Sequence, residues 1–186
     1  NTIKYPEETE RALGLPVLGW VSLWKDKDSS IDDVVVKSPR SPFAESYKAL
    51  RTSLLLASAD GAPGKILVTS AAAAAGKTTT ALNLAFAFGE ADKKVLLIDC
   101  DMRKPRLHKA LGLNNQVGLS NYLAGGKSNI LKKSSHEKVD VITSGPIPPN
   151  PSELLSSRHL TQLLDSLSEN YDVIICDSPP LLSVAD

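Results

Sequence analysis

Three short stretches of this chain place chemically competent side chains directly behind apolar runs. The first is Gly76-Lys77-Thr78-Thr79-Thr80, which follows the apolar run Ile66 to Ser70 and opens the long apolar stretch Thr78 to Glu90. A nucleotide phosphate needs backbone N–H groups at a helix N-terminus, a lysine for the β- and γ-phosphates, and a hydroxyl for Mg²⁺. Lys77 and Thr78 occupy those places, so the stretch predicts a phosphate cradle; the plain alternative is a βα turn with a solvated lysine. Upstream, the pattern GxxxxGK[ST] asks for glycine at position 71, where this chain has Ala71, followed by Ala72, Ala73, Ala74 and Ala75. Alanine tolerates positive φ poorly and favours helix, which predicts a misshapen or impaired loop.

The second stretch is VLLIDCDMRKP, with Asp99 and Asp101 two residues apart at the end of an apolar run. Ligands of open α/β sheets bind beyond the C-terminal strand ends, so these carboxylates are expected to face the phosphates and Mg²⁺. If the strand continues through both, period-two geometry points them the same way. One could then order metal-bound water while the other accepts a proton. Solvated loop carboxylates are the alternative. The third stretch, VIICDSPP, ends another apolar run at Asp177, the position from which a P-loop protein holds the hydration shell of magnesium.

The elements needed to position these groups are legible in the same text. Residues 66–70 read as a buried strand, 78–90 as an apolar helix and 95–99 as a strand, which together make one βαβ unit and imply a parallel sheet. Further strands are expected at 139–144 and 171–177, and helices at 6–13, 43–57 (stopping at Asp60-Gly61), 119–126 and 152–168. VLGWVSL (17–23) looks strand-like, and Lys25 to Pro42, charged and Ser/Pro-rich apart from Val34 to Val36, reads as a surface connection. The fold class is therefore α/β, with a mostly parallel central sheet flanked by helices. Residues 1–40 are expected to be an appendage and 41–186 the main domain. At 186 residues, 42% hydrophobic and 23% charged, the chain has a globular composition, and Lys plus Arg balance Asp plus Glu at 21 each. No global charge steers it onto nucleic acid or an anionic membrane. No apolar run approaches the ~18 residues of a membrane span, and Asn1 opens no signal-peptide pattern. Cys100 and Cys176 each precede an aspartate inside an apolar run and read as reduced and core-facing, hence cytoplasmic.

Taken together, the three motifs resemble the cytoplasmic kinase domain of the bacterial tyrosine kinases of exopolysaccharide and capsule assembly, which share the P-loop fold of MinD and ParA-like ATPases. The likeness extends to SPFAESYKALRTSL, GLSNYLAGG and SGPIPPNPSELL, so it covers about residues 41–186, and ALGLPVLGWV is similar to the juxtamembrane segment. The resemblance implies a Walker A loop at Ala71 to Thr78, with Ala73, Ala74, Ala75, Gly76, Lys77, Thr78 and Thr79 around ATP or ADP. It implies a Walker A' segment of the form DxDxR at Asp99 to Arg103 and a Walker B strand at Val173 to Asp177. Lys77, Asp99, Asp101 and Arg103 would then be catalytic, with Asp101 favoured as the base for the tyrosine hydroxyl. Thr78, Asp99 and Asp177 would serve Mg²⁺. Glu45, Lys48 and Arg51 are similar to the family's ExxRxxR oligomerisation motif, with lysine in place of the first arginine. That implies a ring-like homo-oligomer, although lysine does not reproduce a bidentate arginine contact.

By the same resemblance the protein would be an autokinase at the cytoplasmic face of the inner membrane. It would work with a transmembrane chain-length activator, fused N-terminally, and with a cognate tyrosine phosphatase. Its acceptor tyrosine cluster is expected beyond Asp186. Two other readings stand beside this one: a MinD/ParA-like switch ATPase, whose signature lysine would fall where this chain has Ala72, and a non-catalytic nucleotide-binding module. The basic run Arg103, Lys104, Arg106, His108 and Lys109 could attract phosphate or an acidic partner, or form a solvated face. His108, His136 and His159 lack partners at metal-ligand spacing, so no zinc site is expected.

Overall fold

In the computed structural model, which describes residues 5–26, 30–57 and 63–181, the apolar runs become one five-stranded sheet between two helical layers. The chain opens with α1 (Pro6–Leu13), whose first helical residue is proline and whose end is capped by Gly14 in the left-handed region. A 3₁₀ turn at Ile31–Asp33 leads into α2 (Val34–Lys37), and α3 (Pro42–Leu56) follows, its N-terminus capped by the Ser41 hydroxyl accepting from Ala44 N–H. Then come β1 (Lys65–Val68), α4 (Lys77–Gly89), β2 (Val95–Asp99), α5 (Leu107–Ala110) and α6 (Leu119–Leu123). The chain continues through β3 (Leu131–Lys133), β4 (Val139–Ile142), α7 (Pro151–Leu155), α8 (Arg158–Ser168) and β5 (Val173–Asp177). The expected stop at Asp60-Gly61 lies outside the described residues, as do Asn1 and Asp186.

Strand order is β1-β5-β2-β4-β3, with every pairing parallel except β3 against β4. Alternation along the inner strands divides the apolar side chains between two cores. Val95, Leu97, Val141, Val173 and Ile175 face α4 and α3, whereas Leu96, Ile98, Ile142 and Ile174 face α6 and α8. α4 is apolar nearly all round and accordingly buried, as expected of a helix sandwiched between the sheet and a second helix. Because β1, β5 and β2 run parallel, their C-terminal ends emerge at one edge.

Four local expectations are corrected. Among the described strands β1 is outermost, pairing only with β5, and Leu67 on it is 65% exposed rather than buried. Residues 17–23 form no strand: they find no sheet neighbour, and backbone N–H groups bond side chains instead, Val17 to Glu10 and Ser22 to Ser46. The helix expected over 152–168 is two helices, α7 and α8, broken at Ser156-Ser157. The supposed surface connection is in part core. Val34 and Val35 are fully buried, and Asn83 of α4 fastens this segment by accepting from Val35 N–H and donating to Ile31 C=O.

The alanine run keeps a turn rather than becoming helix, and Ala74 adopts φ 59° to do so, ahead of Gly76 at φ 84°. The left-handed region brings Cβ too close to backbone oxygen and costs an alanine about 1–2 kcal/mol. Ala74→Gly therefore should raise the unfolding free energy by about 1 kcal/mol after the added chain entropy of glycine is deducted. Urea unfolding would show a higher midpoint at unchanged slope; an equal or lower midpoint would contradict the strain.

Candidate functional site

At the shared strand edge, the turn after β1 delivers the N-terminus of α4 beside the ends of β2 and β5. Asp99 and Asp177 are register partners on adjacent strands. The Thr78 hydroxyl at the start of α4 donates to Asp177 Oδ2 at 2.6 Å, joining the expected Walker A and Walker B positions directly. Asp177 Oδ1 is buried and has no hydrogen-bond partner among the described residues. Beside these groups opens a cavity of about 550 Å³, lined by Gly76, Lys77, Thr78, Asp101, Arg103 and Arg106 together with Ala73, Ala74, Pro179 and Pro180.

The carboxylates do not all face this cavity. β2 ends at Asp99, so the period-two rule stops there and the two acids part. Asp99, fully buried, accepts from Asp101 N–H at Oδ1 and from Leu107 N–H at Oδ2, and so shapes the loop from beneath. Asp101 lines the cavity, its Oδ1 accepting from Arg103 and Lys104 N–H. Burial, followed by the neighbouring Asp177 charge, pushes the Asp99 carboxyl up to about 7 against the pull of its two backbone hydrogen bonds. Burial likewise lifts Asp177 to about 6, opposed by the Thr78 hydrogen bond and the Lys77 charge.

Two crowded buried acids with an unpartnered oxygen fit a divalent cation, which would relieve both the burial and the repulsion. No three His, Cys, Asp or Glu side chains among the described residues converge as a complete metal cage. Magnesium is held by one or two protein oxygens plus phosphates and water.

Of the other expected residues, Ala75 is exposed and does not line the cavity, and Thr79 turns away from it, donating to Asp32 Oδ1 at 2.8 Å. Lys104, Arg106, Pro179 and Pro180 line it without having been assigned there. The basic run and the SPP after Asp177 were their only signals in the sequence. Cys100 and Cys176 are free thiols, Cys100 buried and Cys176 half-buried. On α3, the Lys48 ammonium bonds Glu45 Oε1 and Pro39 C=O, both at 2.7 Å, and Arg51 Nη1 donates to Ala87 C=O at 2.7 Å. Glu45, Lys48 and Arg51 are thus tied within the chain.

A family profile described as an AAA domain matches residues 65–186. Tyrosine-protein kinase YwqD of Bacillus subtilis is 44% identical over 155 residues, 82% of this chain, and the chain spans 65% of YwqD's length. The structure of the kinase domain of Escherichia coli tyrosine kinase ETK superposes with a TM-score of 0.89 at 32% identity, covering 99% of this chain and 76% of that one. The septum site-determining protein MinD of Pyrococcus horikoshii, solved with Mg-ADP, matches 62% of this chain and 49% of its own at 29% identity and a TM-score of 0.55. Likeness falls from kinase domain to MinD in extent as well as in fit, which separates a relative from a sharer of the P-loop fold. The chain therefore belongs to the bacterial tyrosine-protein kinase family.

Proposed function

We propose that the chain is the catalytic domain of a protein-tyrosine autokinase. It transfers the γ-phosphoryl group of Mg-ATP to tyrosines in the C-terminal tail of a neighbouring subunit and thereby regulates exopolysaccharide or capsule synthesis and export. The observation that carries the reading is the Thr78–Asp177 contact at the floor of a cavity that Lys77 and Asp101 also line.

Lys77 and the backbone N–H groups at the start of α4 bind the phosphates. The Thr78 hydroxyl and the Asp177 carboxylate hold Mg²⁺, which when bound neutralises charge on the β- and γ-phosphates. Asp101 accepts the proton of the incoming tyrosine hydroxyl as in-line transfer proceeds. Asp99 acts from below, its accepted N–H bonds fixing the loop that presents Asp101 and Arg103. Arg103 neutralises charge at the cavity mouth.

The wider setting rests on the family likeness. It comprises a transmembrane chain-length activator fused N-terminally, a cognate tyrosine phosphatase, and a place at the cytoplasmic face of the inner membrane. No helix among the described residues is long and apolar enough to cross a membrane. A ring-like homo-oligomer through Glu45, Lys48 and Arg51 would require those side chains to exchange their present partners for a neighbour's. The fold shared with MinD supports a second reading, a switch ATPase.

One assay separates the two. The protein is incubated with γ-labelled Mg-ATP and a glutamate–tyrosine copolymer, and phosphoamino acids are analysed beside Lys77→Met. Phosphotyrosine that disappears in Lys77→Met is the expected result. Released phosphate without labelled tyrosine would move the assignment to the switch ATPase, and equal phosphotyrosine from Lys77→Met would refute the role of Lys77.

The buried acids make a prediction that needs no turnover. An acid whose folded-state pKa lies above its unfolded value holds its proton more tightly when folded. Stability is therefore highest at low pH and falls as pH rises from the unfolded value near 4 through about 6 for Asp177. In metal-free, nucleotide-free buffer, Asp177→Asn removes that loss and should gain roughly 1.5 kcal/mol on the wild type between pH 5 and pH 7.5. Urea titrations at the two pH values measure the difference, and a constant offset would contradict it.

A further inference from the structure

One carboxylate that shapes the cavity lies outside all three motifs. Asp32, in the 3₁₀ turn before α2, is 7% exposed. Its Oδ2 accepts from Arg106 Nη2 at 3.1 Å and its Oδ1 from the same nitrogen at 3.3 Å, while Oδ1 also accepts from the Thr79 hydroxyl. The turn that carries Asp32 is itself held in place. The Ser30 hydroxyl accepts Asp32 N–H, and the buried amide of Asn83 bridges Ile31 C=O and Val35 N–H. Asp32 is thus a fixed anion fastened to the helix that begins at Lys77.

Arg106 is different in kind, because its side chain remains half-exposed. It lines the 550 Å³ cavity and also an adjoining groove of about 740 Å³ with Arg103, Lys104, His108 and Lys109, so it stands on the ridge between them. Thr78, which donates to Asp177, lines the same cavity as Arg106. A buried carboxylate paired with a half-exposed arginine adds little stability for its desolvation. The same pair does fix a planar, phosphate-matching cation on the wall of a phosphate-binding cavity.

We propose that Arg106 contacts the terminal phosphate of bound ATP and that Asp32 is the positioning residue that holds its guanidinium there. This rests on the nucleotide reading above. Asp32 reaches the terminal phosphate through Arg106 and is tied to α4 through Thr79, while Lys77 and Thr78 serve the phosphates and the metal from α4 itself.

The test is equilibrium binding of a fluorescent, non-hydrolysable ATP analogue and of fluorescent ADP, each with Mg²⁺. The proteins are wild type, Arg106→Ala, Asp32→Asn and the double variant, with circular dichroism as the check on folding. Arg106→Ala should weaken the ATP analogue about tenfold, the lower range for a hydrogen bond to a charged group, and leave ADP within about twofold. Asp32→Asn should weaken the ATP analogue as well, and the double variant should bind no worse than Arg106→Ala alone, as expected of residues acting in series. Unchanged ATP affinity in Arg106→Ala, or equal losses for ATP and ADP, would overturn the contact. An Asp32→Asn penalty that persists undiminished without Arg106 would overturn the positioning role. Arg106 is itself half-exposed, and in Arg106→Ala Asp32 keeps its Thr79 hydrogen bond, so the contact is read from that variant, once its circular dichroism matches wild type, even if Asp32→Asn fails to fold. Wild type binding neither nucleotide would sink the nucleotide reading itself, a result distinct from wild type binding both while the variants match it.

Discussion

Asp99 and Asp177 face each other across two adjacent parallel strands, both out of contact with solvent, and the surrounding architecture answers to that placement of like charge. Burial raises both acids, with the Asp177 charge adding to the rise at Asp99 and the Asp101 charge to that at Asp177, and groups that favour an anion answer them. Backbone N–H bonds from Asp101 and Leu107 hold Asp99, and the Thr78 hydroxyl and Lys77 charge hold Asp177. Of their four carboxylate oxygens, Asp177 Oδ1 is left without a hydrogen-bond partner among the described residues, and Thr78, bonded to the other Asp177 oxygen, lines the cavity. Stability and function pull in opposite directions at this point. A neutral pair would fold more comfortably but would give a cation nothing to bind.

Much of this could be read from the sequence because parallel strands are buried on both faces and announce themselves as unbroken apolar runs. VLLID and VIICD each end in the acid that matters, and GKT after ILV marks the start of α4 to within one residue. Period-two reasoning required the strand to run through Asp101, and β2 stops at Asp99, so it says nothing of the pair; Asp101 lines the cavity and Asp99 does not. Beyond a strand end, side-chain direction is set by loop hydrogen bonds, and no alternation rule describes those. The outermost place of β1 among the described strands was equally hidden, since ILV is as apolar as the central strands and the insertion of β5 between β1 and β2 is not written in it.

Asp32 and Arg106 escaped for a different reason. They are 74 residues apart, and nothing in the charged, Ser/Pro-rich text around Asp32 distinguishes a buried anion from a solvated one. The one local clue was VVV at 34–36, an apolar triplet too short to define an element but enough to anchor the turn preceding it. Asn83 is the matching clue on α4: a polar residue in the middle of a helix that is otherwise apolar, and its amide satisfies the backbone of that incoming turn. A single amide of this kind in an apolar run marks the place where another piece of chain crosses the helix, and here that piece carries the acid that sets the cavity wall.

The helix α3 shows the same economy from the other side. Arg51 reaches the carbonyl of Ala87 near the C-terminus of α4, where a cation is favourable to unpaired carbonyls, and Lys48 bridges Glu45 and Pro39. Lys48 is therefore not a spare charge, whereas Arg51 engages Nη1 and leaves Nε buried without a hydrogen-bond partner among the described residues. Any neighbouring subunit that engages Glu45, Lys48 or Arg51 replaces bonds the isolated chain already makes, so the net gain per contact is small and assembly through this face must draw on several such exchanges at once. α3 packs directly on α4, so the Arg51 bond to Ala87 ties the α3 face to the helix that begins at Lys77.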